Sequence, residues 1–157
     1  MKSRLYLLAL AMALAVAVPA FAQTEGGVVG HVPTSGTVTA RSFTTAILSD
    51  PAGNPIGKVK TATVVTTDRG TVEGLRVQVS GLTPGAEFAL VIDGTLVGTG
   101  TASSSGVLRL KFLAPSNGRT PVIPDAIRPI RAASSVQIYD TASQRLVASG
   151  TFRGGTR

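Results

Sequence analysis

From Arg41 onward, apolar and polar residues alternate over short runs separated by Gly, Pro, Asn and Asp. That is the period-two signature of half-buried β-strands. Leu75, Val77 and Val79 fall on one side of such a run, with Arg76, Gln78 and Ser80 on the other. Leu108, Leu110 and Phe112 repeat the pattern against Arg109 and Lys111. Phe88, Leu90 and Ile92 form a third inward set, which ends at Asp93-Gly94, a strong hairpin-turn dipeptide, and Thr95–Thr101 returns as its partner. Further strands are expected over Phe43–Leu48, Lys58–Thr67, Val136–Tyr139 and Leu146–Phe152, bounded by turn-forming segments such as Asp50-Pro51-Ala52-Gly53-Asn54-Pro55 and Asp68-Arg69-Gly70. No segment carries the 3.6-residue period of an amphipathic helix. Residues 114–134 hold four prolines and no alternation. So long a connection either crosses between sheets or forms a binding loop, and the crossover is the expectation.

Together these elements predict an all-β protein, an antiparallel two-sheet immunoglobulin-like sandwich of about seven strands over residues 41–153. The expected core is Phe43, Leu75, Val77, Val79, Phe88, Leu90, Ile92, Leu108, Leu110, Phe112, Ile138, Leu146 and Phe152. At about 1.5–3 kcal/mol per buried side chain, such a core needs neither disulfide nor metal to offset the ordering of a small domain.

The N-terminus reads differently. Met1-Lys2-Ser3-Arg4 is followed by an apolar run from Leu5 to Val18, about fourteen residues, and then by Pro19 and Ala20-Phe21-Ala22. A basic start, a short apolar stretch and a small-x-small site together predict a signal peptide over residues 1–22, cleaved after Ala22, and hence an exported protein, periplasmic or extracellular. The run is too short to span a bilayer, so no transmembrane anchor is expected after processing. Residues 23–40 read as a flexible leader or an edge strand, and residues 154–157 as a frayed tail.

Composition narrows the chemistry. The chain of 157 residues has fifteen Lys and Arg against eight Asp and Glu, a net charge of +7, with one His and no Cys. Only Lys2 and Arg4 of the charged residues lie in 1–22, so the remainder stays basic. Absent cysteines exclude disulfides, thiolate metal sites and a cysteine nucleophile. His31 stands alone between Gly30 and Val32, too isolated to build a metal site or a nucleophile-His pair. Neither a nucleophile elbow nor a phosphate-binding loop occurs. Among the acids, Asp50, Asp68, Glu73, Glu87, Asp93, Asp125 and Asp140 mostly coincide with expected turns, where Asp serves its own backbone. No cofactor, no metal and no catalytic residue is expected, and a small hydrolase built on two converging carboxylates is the remote alternative.

The segment Gly81-Leu82-Thr83-Pro84-Gly85-Ala86-Glu87-Phe88 resembles the corner of fibronectin type III domains, where Leu-x-Pro-Gly precedes an aromatic residue. The resemblance implies an immunoglobulin-like sandwich. In that family the aromatic is Tyr, bonded through its hydroxyl to upstream backbone; Phe88 carries over the packing role alone. The same segment also resembles a unit of secreted bacterial β-domains, which implies no activity.

Function is therefore expected to lie in binding. The leading expectation is an exported, non-catalytic module for adhesion, scaffolding or protein-partner binding at the cell envelope. The alternative is a cationic binder of anionic envelope polymers, polysaccharide or lipid headgroups. Its contact residues would be Lys58, Lys60, Arg76, Arg109 and Lys111 on outward strand positions, with Arg128 and Arg131 in the long connection. Nucleic acid is not an expected partner, because export removes the protein from most of it and few aromatics are present for stacking. A contiguous strip of the strand cations would favour the polymer binder. An exposed apolar patch would favour a protein partner.

Overall fold

The computed structural model describes residues 37–155. The expected signal peptide, the leader up to residue 36 and His31 lie outside them. Eight strands follow one another: β1 (Val38–Ser49), β2 (Pro55–Thr66), β3 (Gly70–Val79), β4 (Glu87–Ile92), β5 (Thr95–Thr101), β6 (Leu108–Ala114), β7 (Ser135–Asp140) and β8 (Leu146–Gly155). The described residues contain no α-helix, only the single 3-10 turns Asp125–Ile127 and Ile130–Ala132. The all-β, antiparallel expectation holds, with eight strands rather than about seven. The first residues of the expected tail, Gly154 and Gly155, belong to β8, where they pair with Thr44 and Phe43.

All eight strands form one hydrogen-bonded sheet in the order β5-β4-β7-β8-β1-β2-β3-β6, antiparallel throughout. The sheet curls into a nearly closed barrel, bringing its edges β5 and β6 together without a hydrogen-bonded ladder between them. Side chains close this seam instead. A Cβ at Gly98 would lie 2.9 Å from the Phe112 ring, and one at Gly100 would collide with Leu110. The missing side chains of β5 thus make room for those of β6. Around the wall, β7 returns beside β4 and β3 lies beside β6. With β5 and β6 meeting at the seam, the order β7-β4-β5-β6 around the wall is that of a Greek key, its β5–β6 step closed by side chains and not by a ladder.

Local chemistry sets the turns. Asp93 (φ 46°) and Gly94 (φ 78°) both take left-handed backbone, as the tight turn of a two-residue hairpin demands. The Asp93 carboxylate then accepts hydrogen bonds from the backbone and hydroxyl of both Ser134 and Ser135, tying the end of the long connection to this turn. Gly106, also left-handed, lets its backbone close on Leu82, whose N–H donates to the Gly106 carbonyl at 3.0 Å.

Leu48, Val59, Leu75, Val77, Val79, Phe88, Leu90, Ile92, Leu108, Ile138 and their neighbours fill the interior. Within the expected core, Phe43 is the exception: it is 47% exposed, because β1 turns Thr44, Ala46 and Leu48 inward and leaves Phe43 and Ile47 outside. Leu110, Leu146 and Phe152 are half-buried. Residues 115–134 connect β6 to β7, which are not neighbours in the strand order, within the one sheet rather than between two as expected. They bury Ile123, Ile127 and Ile130 against the wall, so the connection is part of the core.

Candidate functional site

Five of the seven candidate cations meet on one face. Lys60 pairs with Arg76 across β2 and β3, and Arg76 with Lys111 across β3 and β6. One step along, Lys58 lies opposite Gln78 and Gln78 opposite Arg109. Over these two rows the three adjoining strands present six outward positions, of which five are Lys or Arg and the sixth is Gln. Adjacent strands lie about 4.8 Å apart and alternate residues on a strand about 6.6 Å. The patch is therefore about 10 Å by 7 Å at the backbone, comparable with the Debye length of about 8 Å at physiological salt, so its charges act together on a nearby anion.

All five cations are exposed. Among the described residues no carboxylate pairs with any of them; the ion pairs there are Arg69–Asp68, Arg128–Glu73 and Arg128–Asp125. Like charges placed directly opposite on a sheet are destabilising, and Lys60, Arg76 and Lys111 are aligned in that way.

Next to this patch, β1 carries Phe43, Thr45 and Ile47 on its outward side, with Thr45 opposite Lys60 and Ile47 opposite Lys58. Thr45 also faces Arg153 of β8. The β1–β8 ladder is interrupted at Ile47 and Leu48, opposite Gly150 and Thr151, and resumes at Ser49 and Ser149. The two backbones come so close there that a Cβ at Gly150 would collide with the Ile47 carbonyl. Outside this irregular stretch lies an open hollow of about 530 Å³, lined by Thr45, Ser49, Ser135, Ser149 and Thr151 together with Ile47, Gln137 and Arg153.

The two candidates from the long connection lie elsewhere. Arg131 is exposed at the second 3-10 turn. Arg128 is committed to structure, its Nε donating to Glu73 at 2.8 Å and its Nη1 to Asp125 at 3.0 Å. The Glu73 carboxylate first, and that of Asp125 second, hold its guanidinium charged and its pKa above the ordinary value. Glu73 is 1% exposed and also accepts the Ile130 N–H at 2.7 Å. This inward carboxylate fastens the long connection to the barrel.

The other acids are likewise engaged locally. Asp50 accepts from the Asn54 side chain and from the Asn54 and Ala52 backbone, which holds its pKa below the usual carboxylate range. Asp140 is lowered by the backbone and hydroxyl of Ser143. Partial burial opposes the charge on Asp93, but the hydrogen bonds from Ser134 and Ser135 outweigh it and its pKa is lowered as well. Glu87 accepts from Thr99 and Thr141. No group of three or more His, Cys, Asp or Glu able to hold a metal occurs among the described residues, and none of their helices is long and apolar enough to cross a membrane.

Sequence reasoning passed over Arg153, whose place opposite Thr45 depends on the distant pairing of β1 with β8. It also treated Glu73 only as one acid among several. The available signal was its phase, since Glu73 shares the alternation of Leu75, Val77 and Val79. Comparison with family models, curated proteins and solved structures finds no match.

Proposed function

We propose that this protein is an exported, non-catalytic binding module that holds anionic polymers or surfaces of the cell envelope on the outer face of β2, β3 and β6. The observation that carries this reading is the grid of Lys58, Lys60, Arg76, Arg109 and Lys111 with no carboxylate among them. Edge protection is the competing explanation for strand lysines. It accounts for Arg109 and Lys111 on the edge strand β6, but not for Lys58, Lys60 and Arg76, whose strands are paired on both sides. A fold that aligns like charges without neutralising them gives up stability, and a polyanion supplies the missing countercharge.

The non-catalytic part of the proposal draws support from the carboxylates. Glu73 is shut away from solvent, and Asp50, Asp93 and Asp140 are occupied in turns and connections. Export rests on the signal-like residues 1–22. For the architecture, the proposal keeps an immunoglobulin-like reading in which β1-β2-β3-β6 and β5-β4-β7-β8 form two facing halves. The break in the β1–β8 ladder and the unladdered β5–β6 seam support that division. The cationic grid then occupies one half.

The test is retention of the protein on immobilised dextran sulfate across a salt series. Binding that weakens steeply from low to physiological salt is expected of a multi-point cationic contact. Absence of retention at low salt would overturn the proposal.

A further inference from the structure

We infer that the anionic partner is a lipid bilayer, on which Phe43 and Ile47 insert while the neighbouring cations engage phosphate headgroups. The inference rests on the polyanion-binding reading above and names its target. Phe43 and Ile47 are 47% and 56% exposed and stand four residues apart on the same side of β1, about 13 Å along the strand. Large apolar side chains at the centre of a strand face are not required by a soluble, strongly hydrated polymer. A bilayer interface rewards them, because apolar side chains bury below the headgroups while Lys and Arg meet the anionic surface.

The cations are placed to do so on both flanks. On one side Ile47 faces Lys58, and Thr45, midway between the two apolar residues, faces Lys60; on the other side Thr45 faces Arg153. The hollow beside Ile47 adds Arg153 to this cationic flank. Apolar insertion and headgroup attraction separately give only marginal membrane affinity. Together they supply the two signals that a stable peripheral contact needs.

The test uses the protein purified as its own host processes it, with Ile47→Trp as a local probe, since the chain contains no Trp. Vesicles of phosphatidylglycerol and phosphatidylcholine in equal amounts, and vesicles of phosphatidylcholine alone, are compared with soluble dextran sulfate. The Trp emission is expected to shift to the blue and to be quenched by chain-brominated lipid on the anionic vesicles alone. The double variant Phe43→Ser, Ile47→Ser is expected to lose vesicle affinity by about tenfold while keeping its affinity for dextran sulfate. Unshifted emission from vesicle-bound protein, or undiminished vesicle affinity of the double variant, would overturn the inference. So would binding to dextran sulfate without binding to anionic vesicles, which leaves the polyanion reading standing. Binding to neither overturns both.

Discussion

Two stretches of the same barrel wall dress their outer faces in different ways. Strands β2, β3 and β6 turn five cations outward, whereas β4, β5 and β7 contain no Lys or Arg at all and carry Ala89, Val91, Leu96, Thr99 and Gln137 among their outward or half-buried positions. Both stretches enclose the same core and both meet solvent. Solubility alone would distribute charge over both and would intersperse the two signs. The concentration of one sign on three adjoining strands therefore calls for a cause outside the fold.

A second contrast lies between the grid and Arg128. Among the described residues the grid cations have no carboxylate partner, while Arg128 is bridged to buried Glu73 and to Asp125. Its removal should give the largest effect on stability. Arg128→Met leaves Glu73 inside the barrel with the Ile130 N–H as its remaining partner, and a buried carboxylate stripped of its cation destabilises the fold. Urea denaturation should register that loss, while the affinity of the folded variant for dextran sulfate stays close to that of the parent. A variant of unchanged stability would place Arg128 with the binding cations after all.

Removing a grid cation should do the reverse. Arg76 opposes both Lys60 and Lys111, so Arg76→Gln relieves two like-charge contacts and should raise stability by roughly 0.2–1 kcal/mol, with weaker polyanion binding. A loss of stability would mean that Arg76 serves the fold. The smallest effect belongs to the opposite half, at Asp93. Its folded pKa lies below the unfolded value, so its contribution is present above the ordinary carboxylate range and is lost as pH falls through the folded pKa. Asp93→Asn keeps a residue that tolerates left-handed backbone. It should melt below the parent at neutral pH, with the difference closing in strongly acidic solution; a gap that persists there would assign the effect to something other than this carboxylate.

These contrasts also show what the sequence could reveal. Alternation in Leu75–Val79 and Leu108–Phe112 displays which cations point outward, because each strand records its own phase. In Phe43–Leu48 the phase is ambiguous: Phe43 and Ile47 compete with Ala46 and Leu48, and the tight approach of β1 to β8 and the packing of the core decide for the latter. Strand adjacency is not recorded locally. The neighbours β3 and β6 are separated in the chain by a whole hairpin, so the alignment of Arg76 with Lys111 emerges only in the folded barrel. The partnership of Glu73 with Arg128, 55 residues apart, is hidden for the same reason.

The central claim is that position on the wall, and not net charge, makes the binding surface. The direct measurement is affinity for dextran sulfate at low salt for two variants of equal net charge, Lys60→Gln with Arg76→Gln, and Leu96→Glu with Ala89→Glu on the opposite half. The account predicts a loss of about tenfold or more for the first pair and little change for the second. Equal losses from the two pairs would contradict it.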